Sequence, residues 1–540
     1  MRINILVLLL VSYISVFSQS YPEKYWVKLT NKDNTGYDIA HPEDFLSQRA
    51  IDRRNRYNID IVENDLPVSQ VYIDSLQALG CEVVLKSKWL NAVTIASTDT
   101  AFLDTIEHLG FVEHIDRFAN QLKETSVSIS GIKQIEDFYD YGNGYDQIHI
   151  HNGEILHNNG YRGEGMLIGI LDAGFMNVDQ IDGFSHLFTD NRVIATRNIV
   201  SGTDHVYGYH THGTMVLSTI ASYLPGEFIG TAPMASFVFI RTEDASTEYI
   251  IEEDYWISGI EYADSLGVDV VNSSLGYTTF NDPRQNHTYA DLNGKTARAS
   301  IAATIAATKG IAVVNSAGNE GSTSWKYIGV PADADSILTV GAINSSGDIA
   351  SFSSKGATSD GRLKPNVVAV GSNATLLDAG GYVTSNSGTS FSSPITAGLV
   401  ACLWQAKQSL NNIELFDIIQ ESSSRYLNPD TAYGYGIPDY SEALLHIQRL
   451  NGFSSKDEFI YTSAKPIENE ISFTLYSSQN QEITIGLYDM LGRTIYFTNE
   501  KVYMYSENNF TINNLKNTYA GILILKVTTD TETFEMKLVK

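Results

Sequence analysis

Between about residues 160 and 450 the chain alternates short, almost uninterrupted apolar runs with longer stretches of helical periodicity. The runs are MLIGILDAG (166–174), SFVFIRTED (236–244), VDVVNSSLG (268–276), IAVVNSAGNEG (311–321) and ILTVGAI (337–343). A strand with one wet face alternates polar and apolar residues. Runs without alternation therefore predict strands buried on both faces, the pattern of a parallel sheet. EYIIEEDYWISGIEYADSLG (248–267) and the Ala-rich ARASIAATIAATKG (297–310) supply candidate crossover helices. Residues 160–450 are expected to form an α/β domain with a mostly parallel sheet and helices on both faces.

The pattern changes on either side. Residues 19–125 read as a small α+β unit: KYWVKLT (24–30) and LNAVTIAS (90–97) predict strands, DSLQALG (74–80) and AFLDTIEHLG (101–110) short helices ending at glycine. Polar KETSVSISG (123–131) and Tyr- and Gly-rich DFYDYGNGYDQ (137–147) make 126–159 a connector. In 458–540 the period becomes two. Ile471, Phe473 and Leu475, then Ile483, Ile485 and Leu487, then Phe534, Met536 and Leu538 alternate with polar residues around turns such as MLGR (490–493), as in a small all-β sandwich. At the start, Arg2 precedes an apolar stretch, and Val16 and Ser18 suit cleavage after Ser18. Residues 1–18 are thus an expected signal peptide, too short in its apolar core for a membrane anchor. No later window approaches a membrane span, so the mature protein is expected to be exported, with no transmembrane segment.

At 540 residues the chain exceeds one ordinary domain, and its net charge of −27 argues against nucleic acid or an anionic membrane as the main partner. Cys81 and Cys402 fall in different segments, so no structural disulfide is expected in an oxidising compartment.

Several apolar runs stop at polar residues and glycine, in DAG, NSSLG and NSAGNEG. Open parallel sheets gather ligands beyond the carboxyl ends of their strands, so Asp172, Ser274 and Asn319 can converge there. HTHGTMVLSTIAS (210–222) adds His212 and Gly213 ahead of an apolar helix, and SNSGTSFSSPITAGLVACLW (385–404) adds Ser390 at the head of another. A serine hydroxyl attacks at neutral pH only if a base removes its proton. Histidine suits that task, a carboxylate fixes the imidazole tautomer, and amide donors stabilise the oxyanion.

DAGF (172–175), HGT (212–214), AGNEG (317–321) and SGTSFSSPITAG (387–398), in that order, resemble the motifs of the subtilisin-like serine proteases, the subtilases. The chain order Asp, His, Ser and the Asn donor are those of subtilisin. SSLG (273–276) resembles the family's substrate-binding strand, and ASFSSKG (350–356) with KPNVVAVG (364–371) the segment before the nucleophile. The resemblance runs from roughly 160 to 445 and implies a subtilisin-like α/β fold. It implies Asp172 as orienting carboxylate, His212 as general base and acid, Ser390 as nucleophile, and Asn319 as oxyanion donor beside the Ser390 amide. Ser274, Leu275 and Gly276 would pair with the substrate backbone, and Gly329 would sit at the base of the specificity pocket. Ala173, Met215, Phe391 and Ser393 depart from the family pattern without removing a catalytic group.

Residues 19–125 lie where subtilases carry an inhibitory, folding-assisting propeptide. LYDMLGR (487–493), GILILKV (521–527) and the terminal KLVK resemble the type IX secretion sorting domains of Bacteroidetes. The implied partners are protein or peptide substrates and the type IX secretion machinery, with the product secreted or attached to the cell surface. No cofactor is required. Calcium is common in the family, yet the aspartates of PADAD (331–335) do not follow a calcium-loop pattern and no site is assigned.

His210 and His212, with His205 nearby, have metal-like spacing but no carboxylate or Cys partners, so no metal site is assigned. HIH (149–151) reads as a surface or connector feature, and Glu252, Glu253 and Asp254 as a solvated helix face, with a role at the rim of the site as the alternative. Glu320 would favour basic side chains in the substrate pocket, whereas Gly329 would leave room for a large apolar one; the sequence leaves both open. The expected function is a secreted serine endopeptidase working through an acyl-enzyme. The alternative is a catalytically weak, protease-like surface binding protein. An esterase of the G-x-S-x-G type conflicts with GTSFS, which lacks the second glycine.

Overall fold

The structure, a computed structural model, describes residues 23–97, 103–117 and 138–450, and strand segments with their turns between 454 and 539. The expected signal peptide and the polar part of the connector lie outside the described residues.

The N-terminal unit runs β1 (Glu23–Leu29), α1 (Gln48–Arg56), α2 (Gln70–Ala78), β2 (Glu82–Ser87), β3 (Ala92–Ser97), α3 (Leu103–Glu107) and β4 (Val112–Arg117). Its antiparallel sheet has the order β2-β3-β1-β4. Strand alternation gives the sheet two apolar faces. Tyr25, Val27 and Leu29 pack with Ile73 and Leu76 of α2, while Trp26 points the other way, into a cluster with Tyr249, Ile251 and Tyr255.

The central domain follows with β5 (Leu167–Asp172), β6 (Val193–Asn198), α4 (His212–Ala221), β7 (Ser236–Arg241), α5 (Ile251–Leu266), β8 (Val270–Ser273), α6 (Arg298–Thr308), β9 (Ala312–Ser316), β10 (Leu338–Ile343) and β11 (Val367–Val370). A hairpin, β12 (Ala374–Leu377) and β13 (Val383–Asn386), leads into α7 (Thr389–Ala406), followed by α8 (Asn412–Glu421) and α9 (Tyr440–Leu450). Strands β5 to β11 form one parallel sheet in the order β11-β10-β9-β8-β5-β7-β6. Ile168, Ile170, Val270, Val314 and Val340 face the layer of α4 and α7, whereas Leu171, Val238, Ile240, Val271 and Val313 face α5 and α6. Both faces are covered, which is why the apolar runs do not alternate. The chain builds β6 and β7 on one side of β5, then β8 to β11 on the other. The carboxyl ends of β5 and β8 therefore flank the switch point, where open α/β sheets place ligands.

From residue 471 on, six antiparallel strands lie in two sheets, and Ile471, Phe473, Leu475, Ile483, Ile485, Leu487, Leu523, Leu525 and Leu538 share one core. This agrees with the period-two reading.

Two expectations need correction. Glu252, Glu253 and Asp254 are not solvated; they are 1%, 0% and 4% exposed. Helix α5 is covered by the N-terminal sheet and by α6 as well as by the central sheet, so it has no wet face. The connector reading also fails over 138–159, where Tyr139, Tyr141, Ile148 and Leu156 are buried. His151 is buried too, its Nδ1 3.1 Å from the Pro438 carbonyl, while His149 pairs with Glu154 at 2.6 Å.

The N-terminal unit is anchored on α5 by charge as well as by Trp26. Arg53 and Arg54, both buried, reach Asp264 at 2.6 and 3.1 Å, and Lys88 reaches it at 2.8 Å. Burial alone would raise the Asp264 pKa; Lys88, Arg54 and Arg53 together hold it far below the usual carboxylate range. Removing one member leaves buried charge under-compensated. Arg53→Ala is expected to destabilise the full chain by about 3 kcal/mol, at the low end for a broken buried pair because Arg54 and Lys88 remain. The urea midpoint of the full chain measures this.

Candidate active site

Asp172 is the last residue of β5, fully buried, and its Oδ1 accepts the Ala173 amide at 2.7 Å. His212 opens α4 and places Nδ1 2.9 and 3.0 Å from the two Asp172 oxygens. Gly213 permits this approach: a Cβ there would sit 2.4 Å from the Gly174 carbonyl oxygen and 3.0 Å from Asp172 Cβ. Burial lowers the His212 pKa, but the charge and hydrogen bond of Asp172 outweigh it and leave the imidazole above its ordinary value. The imidazole is half-buried and lines the groove.

Ser390 is the second residue of α7 and half-buried. As a first-turn residue its amide has no intrahelical acceptor. Four residues on, Pro394 lacks the N–H that would bond the Ser390 carbonyl. Ser274 Oγ takes that place, donating to the Ser390 carbonyl at 2.8 Å. Ser390 Oγ in turn donates to the Ser274 carbonyl at 3.4 Å, a long bond, and none links it to His212. The nucleophile candidate is thus tied to the end of β8.

Asn319 follows β9. Its Oδ1 accepts the Thr389 amide at 2.8 Å and the Thr389 hydroxyl at 3.1 Å, and its Nδ2 has no acceptor among the described residues. Thr389 was not singled out in the sequence, although it orients this donor. Ser274, Leu275 and Gly276 form an extended edge past β8, and Tyr277 pairs with Val330 in both directions, at 2.7 and 3.0 Å. Gly329, beside Tyr277, is buried, and its missing Cβ would lie 3.3 Å from Thr278 Cγ2.

One open groove of about 560 Å³ is lined by His212, Ser390, Asn319, Ser274, Leu275, Gly276 and Gly329 together. Asp172 stands behind His212, outside the lining. The groove is also lined by Glu243, Glu248 and Tyr277, which the sequence reading passed over, and by Glu252, which it placed on a solvated helix face or a rim. Their signal was an acidic run, RTEDASTEYIIEED (241–254), directly after an apolar strand.

Residues 163–436 match the Subtilase family, 24–133 the Peptidase S8 propeptide domain of Bacteroidota, and 465–540 the secretion system C-terminal sorting domain. The chain is 33% identical to Subtilisin E of Bacillus subtilis over 287 residues, 52% of this chain and 66% of that protein. With Subtilisin of Bacillus pumilus it shares 32% over 287 residues, 92% of that protein. The epidermin leader peptide processing serine protease of Staphylococcus aureus superposes with a TM-score of 0.54 at 17% identity, over 78% of this chain and 98% of that one. With its N-terminal propeptide, parallel-sheet central domain and C-terminal sorting domain, the chain belongs to the Subtilase family.

Proposed function

We propose that this chain is an exported serine endopeptidase, made as a precursor, that hydrolyses peptide bonds through an acyl-enzyme on Ser390. The observation that carries this reading is the Asp172–His212 pair held at one end of the groove that Ser390 and Asn319 also line. Because Nδ1 faces the carboxylate, it bears the proton, and Nε2 offers its lone pair toward the groove. On substrate binding Ser390 Oγ leaves its long bond to Ser274, gives its proton to Nε2 and attacks the carbonyl; catalytic bonds often tighten only in the complex. The imidazolium so formed is stabilised by Asp172 and then protonates the leaving amine. The oxyanion meets the Ser390 amide and Asn319 Nδ2, with the positive end of α7 behind them. Ser274, Leu275 and Gly276 align the extended substrate as a strand edge does, and Gly329 shapes the pocket floor. No cofactor takes part.

The sorting domain and the expected signal peptide support export through the type IX machinery, the product being secreted or attached to the cell surface. The limits 1–18, 19–125, 126–159, 160–450 and 458–540 for signal, propeptide, connector, peptidase and sorting domain belong to this proposal, with the peptidase packing extended back to about 138. With the propeptide removed, mixing the enzyme with an activated peptide ester is expected to release a burst of about one product per enzyme, then turn over linearly. Turnover without a burst, in an ester whose acylation is known to be fast, counts against the acyl-enzyme.

A further inference from the structure

Beyond Ser390 the groove follows Ser274–Gly276 and ends at the loop after β7 and the first turn of α5. Its far wall carries Glu243 and Glu252, 7% and 1% exposed. The Tyr277 hydroxyl donates to Glu243 Oε1 at 2.6 Å, and the Thr247 hydroxyl to Glu252 Oε1 at 3.4 Å. The Thr242 hydroxyl also reaches Glu243 Oε1, at 3.3 Å, and the two carboxyls hydrogen-bond each other; no other donor reaches either one among the described residues. No Lys, Arg or His forms an ion pair with either one among the described residues. Arg241, nearest in the chain, is committed to the Ala173 carbonyl, Asn198, Asp244 and the ring of Tyr209.

Helix α5 shows what is missing. Its other buried acids have partners from the protein: Glu253 has His287 at 2.6 Å, Asp254 has Arg298 at 3.2 Å, and Asp264 has Arg53, Arg54 and Lys88. Glu261 accepts the Ser87 hydroxyl and the amides of Lys88 and Trp89. Among the described residues Glu252 and Glu261 have no ion pair, but Glu261 is held by three donors, and of the acids of α5 only Glu252 lines the groove. Two buried carboxyls without a counter-charge are costly, and carboxyls that touch cannot both ionise.

We propose that Glu243 and Glu252 form a subsite for a basic substrate side chain, Lys or Arg, set several residues from the scissile bond on the side that pairs with Ser274–Gly276. It rests on the peptidase reading above. A guanidinium or ammonium group entering the subsite displaces one proton from the pair, so each binding event at neutral pH releases a proton to solvent and leaves one carboxylate paired with the cation beside one protonated carboxyl. Burial, Glu248 and Asp172 hold Glu243 up at about 8, and burial with Glu243 and Glu248 raises Glu252 further. The groups facing them are Glu248, at about 7, Asp244 and Arg241 from the β7 side, Tyr277 after β8, and Asp172 at the end of β5. The empty subsite is therefore largely protonated near neutrality, and selectivity for a basic residue grows as pH rises from 6 to 9.

The test is a peptide series in which one position at a time, from the second to the fifth before the scissile bond, is Arg, Lys, norleucine or Glu. At one position the kcat/KM ratio of Arg to norleucine is expected to be about 10 to 100, a desolvated charge pair being at stake. In Glu243→Gln and in Glu252→Gln the ratio is expected to fall below about three, and in the wild type it is expected to rise with pH and to survive EDTA. Cleavage with no basic preference at any position overturns the subsite and leaves the peptidase reading standing, as does a preference that EDTA abolishes. Failure to cleave any peptide overturns the peptidase reading. The wild-type ratios decide the matter even where a variant does not fold.

Discussion

Replacing Ser390 by Ala is expected to lower kcat toward peptides by about 10⁶-fold, the effect that loss of the triad serine has in subtilisin, with KM little changed. In the proposed mechanism the hydroxyl oxygen forms the bond to substrate, whereas Ser274–Gly276 and the groove walls proposed to bind the peptide are untouched. Ser392, two residues on, is the control. Its hydroxyl bonds the Thr389 carbonyl within α7 at 3.1 Å, so Ser392→Ala is expected to keep activity within a few-fold. A loss of similar size in both variants would point to damage to the helix rather than to chemistry at Ser390.

Asp172→Asn is expected to cost about 10⁴-fold in kcat, the size seen when a triad carboxylate becomes an amide. The asparagine amide would donate to Nδ1, forcing the proton to Nε2, where a lone pair is needed. The pH profile carries the sign. His212 acts as a base only when neutral, so wild-type kcat/KM is lost as pH falls through a histidine pKa held above its ordinary value by Asp172. Without the carboxylate charge, burial prevails and the inflection moves down. Rates measured from pH 5 to 9 in both proteins would show the displacement; an unmoved inflection would mean that Asp172 does not govern this imidazole.

The parts of the fold that could be read from the sequence are those where local pattern and tertiary environment agree. Strands β5, β7, β8, β9 and β10 are sandwiched between helix layers, so their apolar runs mark them. Edge strand β6, VIATRN, is half-buried and carries no such run, and the hairpin β12–β13 is too short to stand out. The acidic face of α5 was misread because its cover comes from far along the chain: Arg53 and Asp264 are 211 residues apart in sequence. A charge run looks solvated until the sheet lying on it is known. That Asp172, His212, Ser390 and Asn319 lie near one another could be read from the sequence, because each sits at or just past the end of a strand or at the start of a helix. The devices that hold them were not. Ser274 satisfying the carbonyl that Pro394 leaves open, and Thr389 fixing Asn319, are single hydrogen bonds across 116 and 70 residues of sequence. The groove's Glu243–Glu252 pair left a signal, the acidic run 241–254, but a charge run does not tell which of its carboxyls the fold turns into a groove.

The nucleophile itself can be marked directly. A fluorophosphonate probe reacts with a serine whose oxygen is activated by a neighbouring base. With the propeptide removed, the wild-type protein is expected to take up one probe, located by peptide mass spectrometry on Ser390, and Ser390→Ala to take up none. Labelling at another serine, or equal labelling of the two proteins, would contradict the account.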